Sequence, residues 1–168
     1  NIALLYGGED MFDEHLLAQI AHHTVSIFSV GTGSAELCAV NMMHNFLSTC
    51  NCSTRLLCDG GMLQAIQSKI DKSSGEIHTT IIKILEIVSR YRGQLLASTY
   101  PLQLFISQFD KCQNLALKAL AAIMANITQY YGECDGAALS KIAQVMLTTT
   151  DEVFNNLFLS FQTLLTIF

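Results

Sequence analysis

The spacing of apolar residues is the feature that most limits how this chain can fold. Apolar side chains recur every three or four residues, the period of an α-helix, and the alternation typical of strands is scarce. Three runs show this period: Leu37, Val40, Met43, Phe46 and Leu47; Ile77, Ile81, Ile84, Leu85 and Val88; and Leu117, Leu120, Ile123, Met124 and Ile127. The chain is therefore predicted to be all-α.

Equivalent positions in these helices recur at a nearly constant distance along the chain. If Ala39 is taken as a landmark, its counterparts by pattern are Thr80, Ala116 and Leu157, at spacings of 41, 36 and 41 residues. Shorter helices between them give a second series: Leu16, Met62, Pro101 and Ala137. A period of about 40 residues predicts an array of helical repeats, in which stacked neighbours bury each other's apolar faces.

Turn-forming residues divide the helices from one another. Gly93 follows Arg90 and Arg92, a combination that predicts a helix end. Ser98 or Thr99 is expected to cap the next helix, with Pro101 in its first turn. Further helix starts are expected near Ser34, at Asp135-Gly136 and at Thr150 or Asp151.

The repeat spacing predicts one domain over residues 1–168. We expect a partial repeat at 1–33, repeats at about 34–73, 74–110 and 111–148, and a second partial repeat at 149–168. The chain starts at Asn1 rather than Met and ends in an apolar run, so we expect it to be a piece of a longer protein.

Composition and charge disfavour several classes of function. The net charge is −5, with 9 basic and 14 acidic residues and no Lys/Arg cluster, which disfavours nucleic acid and anionic membrane surfaces as partners. No stretch approaches the length of about 20 apolar residues that a transmembrane helix needs. The hydrophobic fraction of 51% is high, as expected where neighbouring repeats cover one another.

The six cysteines form no Cys-x-x-Cys pair. They are interpreted as reduced thiols, because disulfides are rare in cytoplasmic proteins, and this favours a reducing compartment. The alternative is a zinc site built from Cys50, Cys52, Cys58 and His44, whose spacing matches no common structural zinc pattern. We therefore expect neither a metal nor another cofactor.

The sequence resembles the armadillo repeat family over nearly its whole length. Residues 39–47, Ala-Val-Asn-Met-Met-His-Asn-Phe-Leu, resemble the family's third-helix pattern Ala-Leu-Trp-Ala-Leu-Ser-Asn-Leu-Ala, and residues 116–124 are a second match. Glycine turns at Asp59-Gly60-Gly61 and Asp135-Gly136 follow in the matching places, while residues 80–88 and 157–165 match more loosely. The resemblance implies a right-handed superhelix of armadillo-like repeats, with HEAT repeats as the close alternative.

In the family, the third helices line a concave groove that binds proteins or extended peptides. Carrying the groove stripe over by position gives ten candidate partner-binding residues: Asn41, Asn45, Thr49, His78, Ile82, Glu86, Arg90, Asn114, Lys118 and Asn126. The position of the family's Trp holds Asn41, Ile82, Lys118 and Leu159, and the chain has no Trp. This departure disfavours the basic-peptide binding of importin-like members.

The resemblance implies a non-catalytic scaffold that docks partner proteins or neighbouring subunits in a larger complex, in cytoskeletal or ciliary assemblies for example. The alternative is a transport or chaperone-cofactor module that binds a peptide or a client protein. An enzyme is disfavoured because the sequence has no Gly-x-Ser-x-Gly, no His-Glu-x-x-His and no phosphate-binding glycine loop with a lysine. The expected location is the cytoplasm, with cytoskeletal association, and the nucleus is an alternative.

Overall fold

The structure of the chain is a computed structural model, which describes residues 14–49 and 52–168. Every regular element in these two ranges is helical, which confirms the all-α prediction. Cys50, the first ligand of the alternative zinc site, lies outside the described residues, as do the first 13 residues of the expected partial repeat.

The described residues form nine α-helices and one short 3₁₀ turn. In chain order they are α1 (Glu14–Val30), α2 (Ser34–Thr49), α3 (Ser53–Asp59), α4 (Met62–Lys69), α5 (Gly75–Thr99), α6 (Leu102–Gln108), α7 (Asn114–Ile127), the 3₁₀ turn (Thr128–Tyr130), α8 (Gly136–Met146) and α9 (Asp151–Leu165). All four landmark residues lie in long helices and are buried. The chain divides into two compact units, Asn1–Ile84 and Leu85–Phe168, with the boundary inside α5.

In the first unit, α1 packs on α2, α3 and α4. Phe28, Met43, Leu57 and Ile66 are fully buried there. Lys69 joins the end of α4 to the end of α1: its Nζ donates to the carbonyl of Gly31 at 2.7 Å and to Glu36 at 3.2 Å. The same ammonium group lies 5.3 Å from the centroid of the Phe28 ring. One cation therefore satisfies a helix-terminal carbonyl and also packs on the core.

In the second unit, α9 packs on α7 and α8, and α6 packs on the same two helices. Tyr100 and Phe105 are buried edge to face, with ring centroids 5.8 Å apart. The Tyr131 hydroxyl donates to the Tyr100 carbonyl at 2.9 Å, which satisfies a polar group at the end of α5.

The predicted helix end near Gly93 is confirmed, because two helices meet at a kink within the range of α5. The kink lies at Arg92, whose φ of −139° and ψ of 41° are not helical. A Cβ at Gly93 would lie 3.0 Å from the Tyr130 ring and 3.3 Å from the Asn126 carbonyl oxygen. Glycine at this helix break therefore also allows close packing against the end of α7 and the 3₁₀ turn.

The start of α6 differs from the prediction. The hydroxyls of Ser98 and Thr99 donate back to the Leu95 carbonyl within α5, at 2.8 Å each, and cap nothing downstream. Pro101 itself occupies the N-cap position, with an extended backbone, and α6 begins at Leu102. The starts predicted at Asp135-Gly136 and at Thr150 are confirmed.

No helix in the described part of the chain is both long and apolar enough to cross a lipid bilayer.

Asp135→Ala is expected to destabilise the protein, because one Asp135 carboxylate oxygen accepts the backbone N–H of Ala138 at 2.7 Å and the other accepts from Gln103 at 2.6 Å. Loss of such an N-cap costs about 1 kcal/mol, a fall of about 2–4 °C in Tm, measurable by circular dichroism. Thr150→Ala is the matched control, since Thr150 makes no side-chain cap bond. An equal loss of stability in both variants would contradict this role of Asp135.

Candidate binding surface on the third helices

The third helices of the family pattern are α2, the part of α5 before the bend at Arg92, α7 and α9. In α2, Asn41 is half-buried, and its Oδ1 accepts a long hydrogen bond of 3.5 Å from the Thr80 hydroxyl. Asn45 and Thr49 are exposed, and the Thr49 hydroxyl donates to the Asn45 carbonyl at 2.8 Å. The Asn45 side-chain amide is therefore the group of this stripe best placed to meet a partner.

Two of the ten sequence-predicted surface residues lie inside the protein instead. His78 is 3% exposed and Ile82 is fully buried. The apolar face of α5 is wide, because Ile81, Ile84 and Leu85 are also fully buried. Ile82, four residues before Glu86, therefore lies in the core rather than at the surface. His78 and Ile82 must be removed from the candidate binding residues.

In the second unit, a chain of hydrogen bonds connects α5 to α7. Asn126 Nδ2 donates to the Ser89 hydroxyl oxygen at 2.9 Å, and the Ser89 hydroxyl donates to the Glu86 carbonyl at 2.7 Å. The Glu86 carboxylate forms an ion pair with Arg90 one turn later, and the Arg90 side chain remains 60% exposed. Asn126 thus positions the two helices, while the ion-paired Arg90 side chain is accessible to a partner.

Lys118 on α7 forms an ion pair with Glu152 in the first turn of α9, with Nζ and Oε2 2.8 Å apart. Both side chains are about half exposed or more, so the pair contributes little to stability, about 0–1 kcal/mol. Charged groups of a partner could therefore replace this ion pair by pairing with Lys118 and Glu152 themselves, at a small cost in free energy. Lys118 was predicted from the sequence, but Glu152 was not. The sequence showed only that an acidic residue stands there at the start of a helix.

Asn114, also predicted to line the groove, is the first residue of α7 and is exposed. Its φ of 47° is left-handed, a conformation that asparagine adopts more readily than most residues other than glycine. The left-handed backbone at the start of α7 thus explains why this residue is an asparagine, and no contact with a partner is needed to explain it.

Two clefts away from the candidate stripe were not anticipated from the sequence. One, of about 500 Å³ in the first unit, is lined by Glu36, Lys69, Lys72 and several serines. The other, of about 600 Å³ in the second unit, is lined by residues that include Tyr131, Glu133 and Asp135 and contains no basic side chain. Turn residues form much of both linings, and turn spacing alone does not predict which of them meet in space.

Two of the described thiols, those of Cys112 and Cys134, are held in the protonated form, which is the weaker nucleophile. Burial raises the pKa of Cys112 from its ordinary value of 9.0 to about 12, partly offset by Lys111. Burial, with the nearby Asp135 carboxylate, also raises the pKa of Cys134. Among residues 14–49 and 52–168 no group of three or more His, Cys, Asp or Glu side chains is arranged to hold a metal ion.

No protein-family model matches the sequence, and a search of curated proteins finds no match. Solved structures do match. A computationally designed armadillo repeat protein for modular peptide recognition aligns over 92% of this chain and 78% of its own, with a TM-score of 0.71 and 17% identity. The chain has the armadillo repeat fold.

Two further designed armadillo repeat proteins support the same fold. One, YIII(Dq.V1)4CPAF in complex with the peptide (KR)4, has a TM-score of 0.68 and 16% identity over 89% of this chain and 66% of its own. The other, YIII(Dq)4CqI, has a TM-score of 0.67 and 15% identity over 88% and 72%. The armadillo fold generally serves as a peptide- or protein-binding module, and usually as a non-catalytic one.

Cys112 is expected to resist alkylation in the folded protein. A thiol pKa of about 12 leaves roughly a thousandfold less thiolate below pH 9 than an ordinary cysteine has. Iodoacetamide labelling at about pH 8 with peptide mass spectrometry should modify the exposed Cys38 first and Cys112 only after denaturation. Equal labelling rates for the two cysteines in the native protein would show that Cys112 is not shielded.

Proposed function

We propose that this protein is a non-catalytic scaffold that docks partner proteins along the exposed residues of its third helices. The observation that carries the proposal is the exposed Lys118–Glu152 pair, which joins Lys118 of the predicted binding stripe to the next third helix of the second unit. The exposed Arg90 and the half-buried Glu86 add a second pair of opposite charges. Proteins with mixed surface charge complement such a surface better than a strongly basic or acidic ligand does.

The scaffold is proposed to work as part of a larger assembly in a reducing compartment, the cytoplasm by preference and the nucleus as an alternative. Its cysteines fit such a compartment, because none of the five that the structure describes forms a disulfide. Cytoskeletal or ciliary assemblies are the settings that the resemblance suggests.

Charge reversal at Lys118 tests the proposal. A partner that docks on this stripe should lose affinity by about tenfold or more with Lys118→Glu, because the new carboxylate repels both Glu152 and the partner's acidic groups. Lys141→Glu is the matched control, since Lys141 also forms a surface ion pair, with Asp110, between α8 and the turn after α6. Partners captured by the wild-type chain would be measured against both variants by biolayer interferometry.

A partner lost equally with Lys118→Glu and Lys141→Glu would show a general charge effect rather than docking on the third helices. Turnover of any substrate by the purified chain that depended on a single Cys or His would overturn the scaffold proposal as a whole.

The second candidate function is a transport or chaperone-cofactor module that binds an extended peptide. The exposed Asn45 amide supports it, because such an amide can hold a peptide backbone by paired hydrogen bonds. One matched designed protein binds (KR)4, but here the family's Trp position in α7 is a lysine, and its counterpart in α5, Ile82, is buried. A like charge and a missing aromatic platform both disfavour a Lys/Arg-rich peptide.

Fluorescence anisotropy with labelled (KR)4 separates the two candidates. We expect no saturable binding at protein concentrations up to about 100 µM, because no Trp is present to stack on the peptide's cationic side chains. Saturable binding that is lost with Asn45→Ala, but kept with Ser48→Ala on the same exposed helix end, would favour the transport module instead.

A further inference from the structure

A cleft of about 600 Å³ in the second unit lies apart from the third helices. It is formed by the part of α5 after the bend at Arg92, the start of α6 and residues 131–135 before α8. We call it the α6 cleft. Its volume is within the range of roughly 300–1,000 Å³ that is typical of ligand sites, and none of the ten candidate partner-binding residues lines it. The α6 cleft is therefore a second place at which a partner can bind.

The charged side chains that line the α6 cleft are all acidic. They are Glu133 and Asp135, and no lysine, arginine or histidine accompanies them. Asp135 is held in place, because its carboxylate accepts the Ala138 N–H at 2.7 Å and the Gln103 side-chain amide at 2.6 Å. Glu133 is exposed, and no basic group of the cleft neutralises it. By charge, a cation is therefore the favoured ligand.

Three hydroxyl groups of the cleft select for the same kind of ligand. Ser98 and Thr99 each donate to the Leu95 carbonyl at 2.8 Å. Tyr131 donates to the Tyr100 carbonyl at 2.9 Å. Because these hydrogens are engaged inside the protein, the three oxygens can only accept hydrogen bonds from a ligand. A ligand with several N–H donors and no acceptor matches both the hydroxyl groups and the carboxylates.

An apolar wall completes the cleft and is formed by Ala97, Pro101 and Leu102. Arginine suits this combination, because an apolar stem carries a planar guanidinium group with five N–H donors and no acceptor. A lysine ammonium group has three donors and is more strongly hydrated, so it fits these acceptors less well. We propose that the α6 cleft binds an arginine side chain of a partner protein, with the stem on the apolar wall and the guanidinium group at Glu133 and Asp135.

This contact is distinct from docking on the third helices and does not depend on it. A single arginine side chain gives a weak contact, with a Kd of about 1 mM, which agrees with the absence of saturable (KR)4 binding that we expect below about 100 µM. In a partner that also docks on the third helices, the arginine adds to the affinity, because the second contact forms within one complex.

Titration with N-acetyl-arginine amide, followed by ¹H–¹⁵N NMR, tests the proposal. The guanidinium group is the only charge of this probe. Saturable shifts are expected for backbone amides within residues 98–103 and 131–135, with a Kd of about 1 mM at low ionic strength. The citrulline analogue, in which a neutral urea replaces the guanidinium group, should bind at least about tenfold more weakly. Equal binding of the two probes, or shifts confined to other residues, would overturn the proposal.

Glu133→Gln removes a charge from an exposed side chain of the cleft, so the variant should fold normally, as its NMR spectrum would verify. The Kd of the arginine probe should rise about threefold or more, because a charge-assisted hydrogen bond becomes a neutral one. Glu76→Gln is the matched control, since Glu76 is also exposed but lies in the first unit, in the first turn of α5. Unchanged binding to Glu133→Gln, or an equal loss in both variants, would contradict an arginine site in this cleft.

Two further titrations distinguish other occupants. Sulfate would bind if the N–H groups of Leu102 and Gln103 at the start of α6 formed an anion site, and saturable sulfate shifts at the same amides would overturn the proposal. Free arginine should bind no more tightly than the capped probe, because the backbone of a partner's arginine lies outside the cleft. Binding of free arginine that is tenfold tighter would show a site for the small molecule, and the proposal of a protein partner would fall.

Discussion

The burial of one apolar stripe on each third helix is the interaction on which the rest of the structure depends. A helix of 14 to 16 residues such as α2 or α7 has little stability of its own in water, so its apolar face must be covered by another element. Met43, Ile84 and Leu120 are each fully buried, and a side chain of this kind contributes about 1.5–3 kcal/mol when removed from water. The short helices and their turns position the long helices so that this burial is possible.

The same constraint explains why the fold could be predicted from the sequence. The four landmarks are of three residue types, and all four are buried at the spacing that the apolar pattern predicts: Ala39, Thr80, Ala116 and Leu157. The helix starts at Asp135-Gly136 and Thr150 were also found, because a side-chain cap and an acidic first turn act locally. Local signals and the helical period together were sufficient for the architecture.

The sequence did not reveal contacts between residues that are distant along the chain. Gly93 follows a break between two helices, as its place after Arg90 and Arg92 indicates, but its lack of a Cβ also allows close approach to Tyr130, 37 positions away. His78 and Ile82 follow the four-residue spacing of a surface stripe, yet they are buried because α5 has a wide apolar face. The width of a buried face depends on what packs around the helix, and the helical period does not contain that information.

The hydroxyl groups of the helices have a consequence for the polarity of any complex. The Thr49 hydroxyl gives its hydrogen to the Asn45 carbonyl, and the Thr163 hydroxyl on α9 does the same with the Leu159 carbonyl. Each oxygen keeps its lone pairs but has no hydrogen left to offer. A ligand that binds at these positions must therefore donate an N–H or O–H group. The two threonine hydroxyls act there as acceptors only, although a hydroxyl can in general both donate and accept.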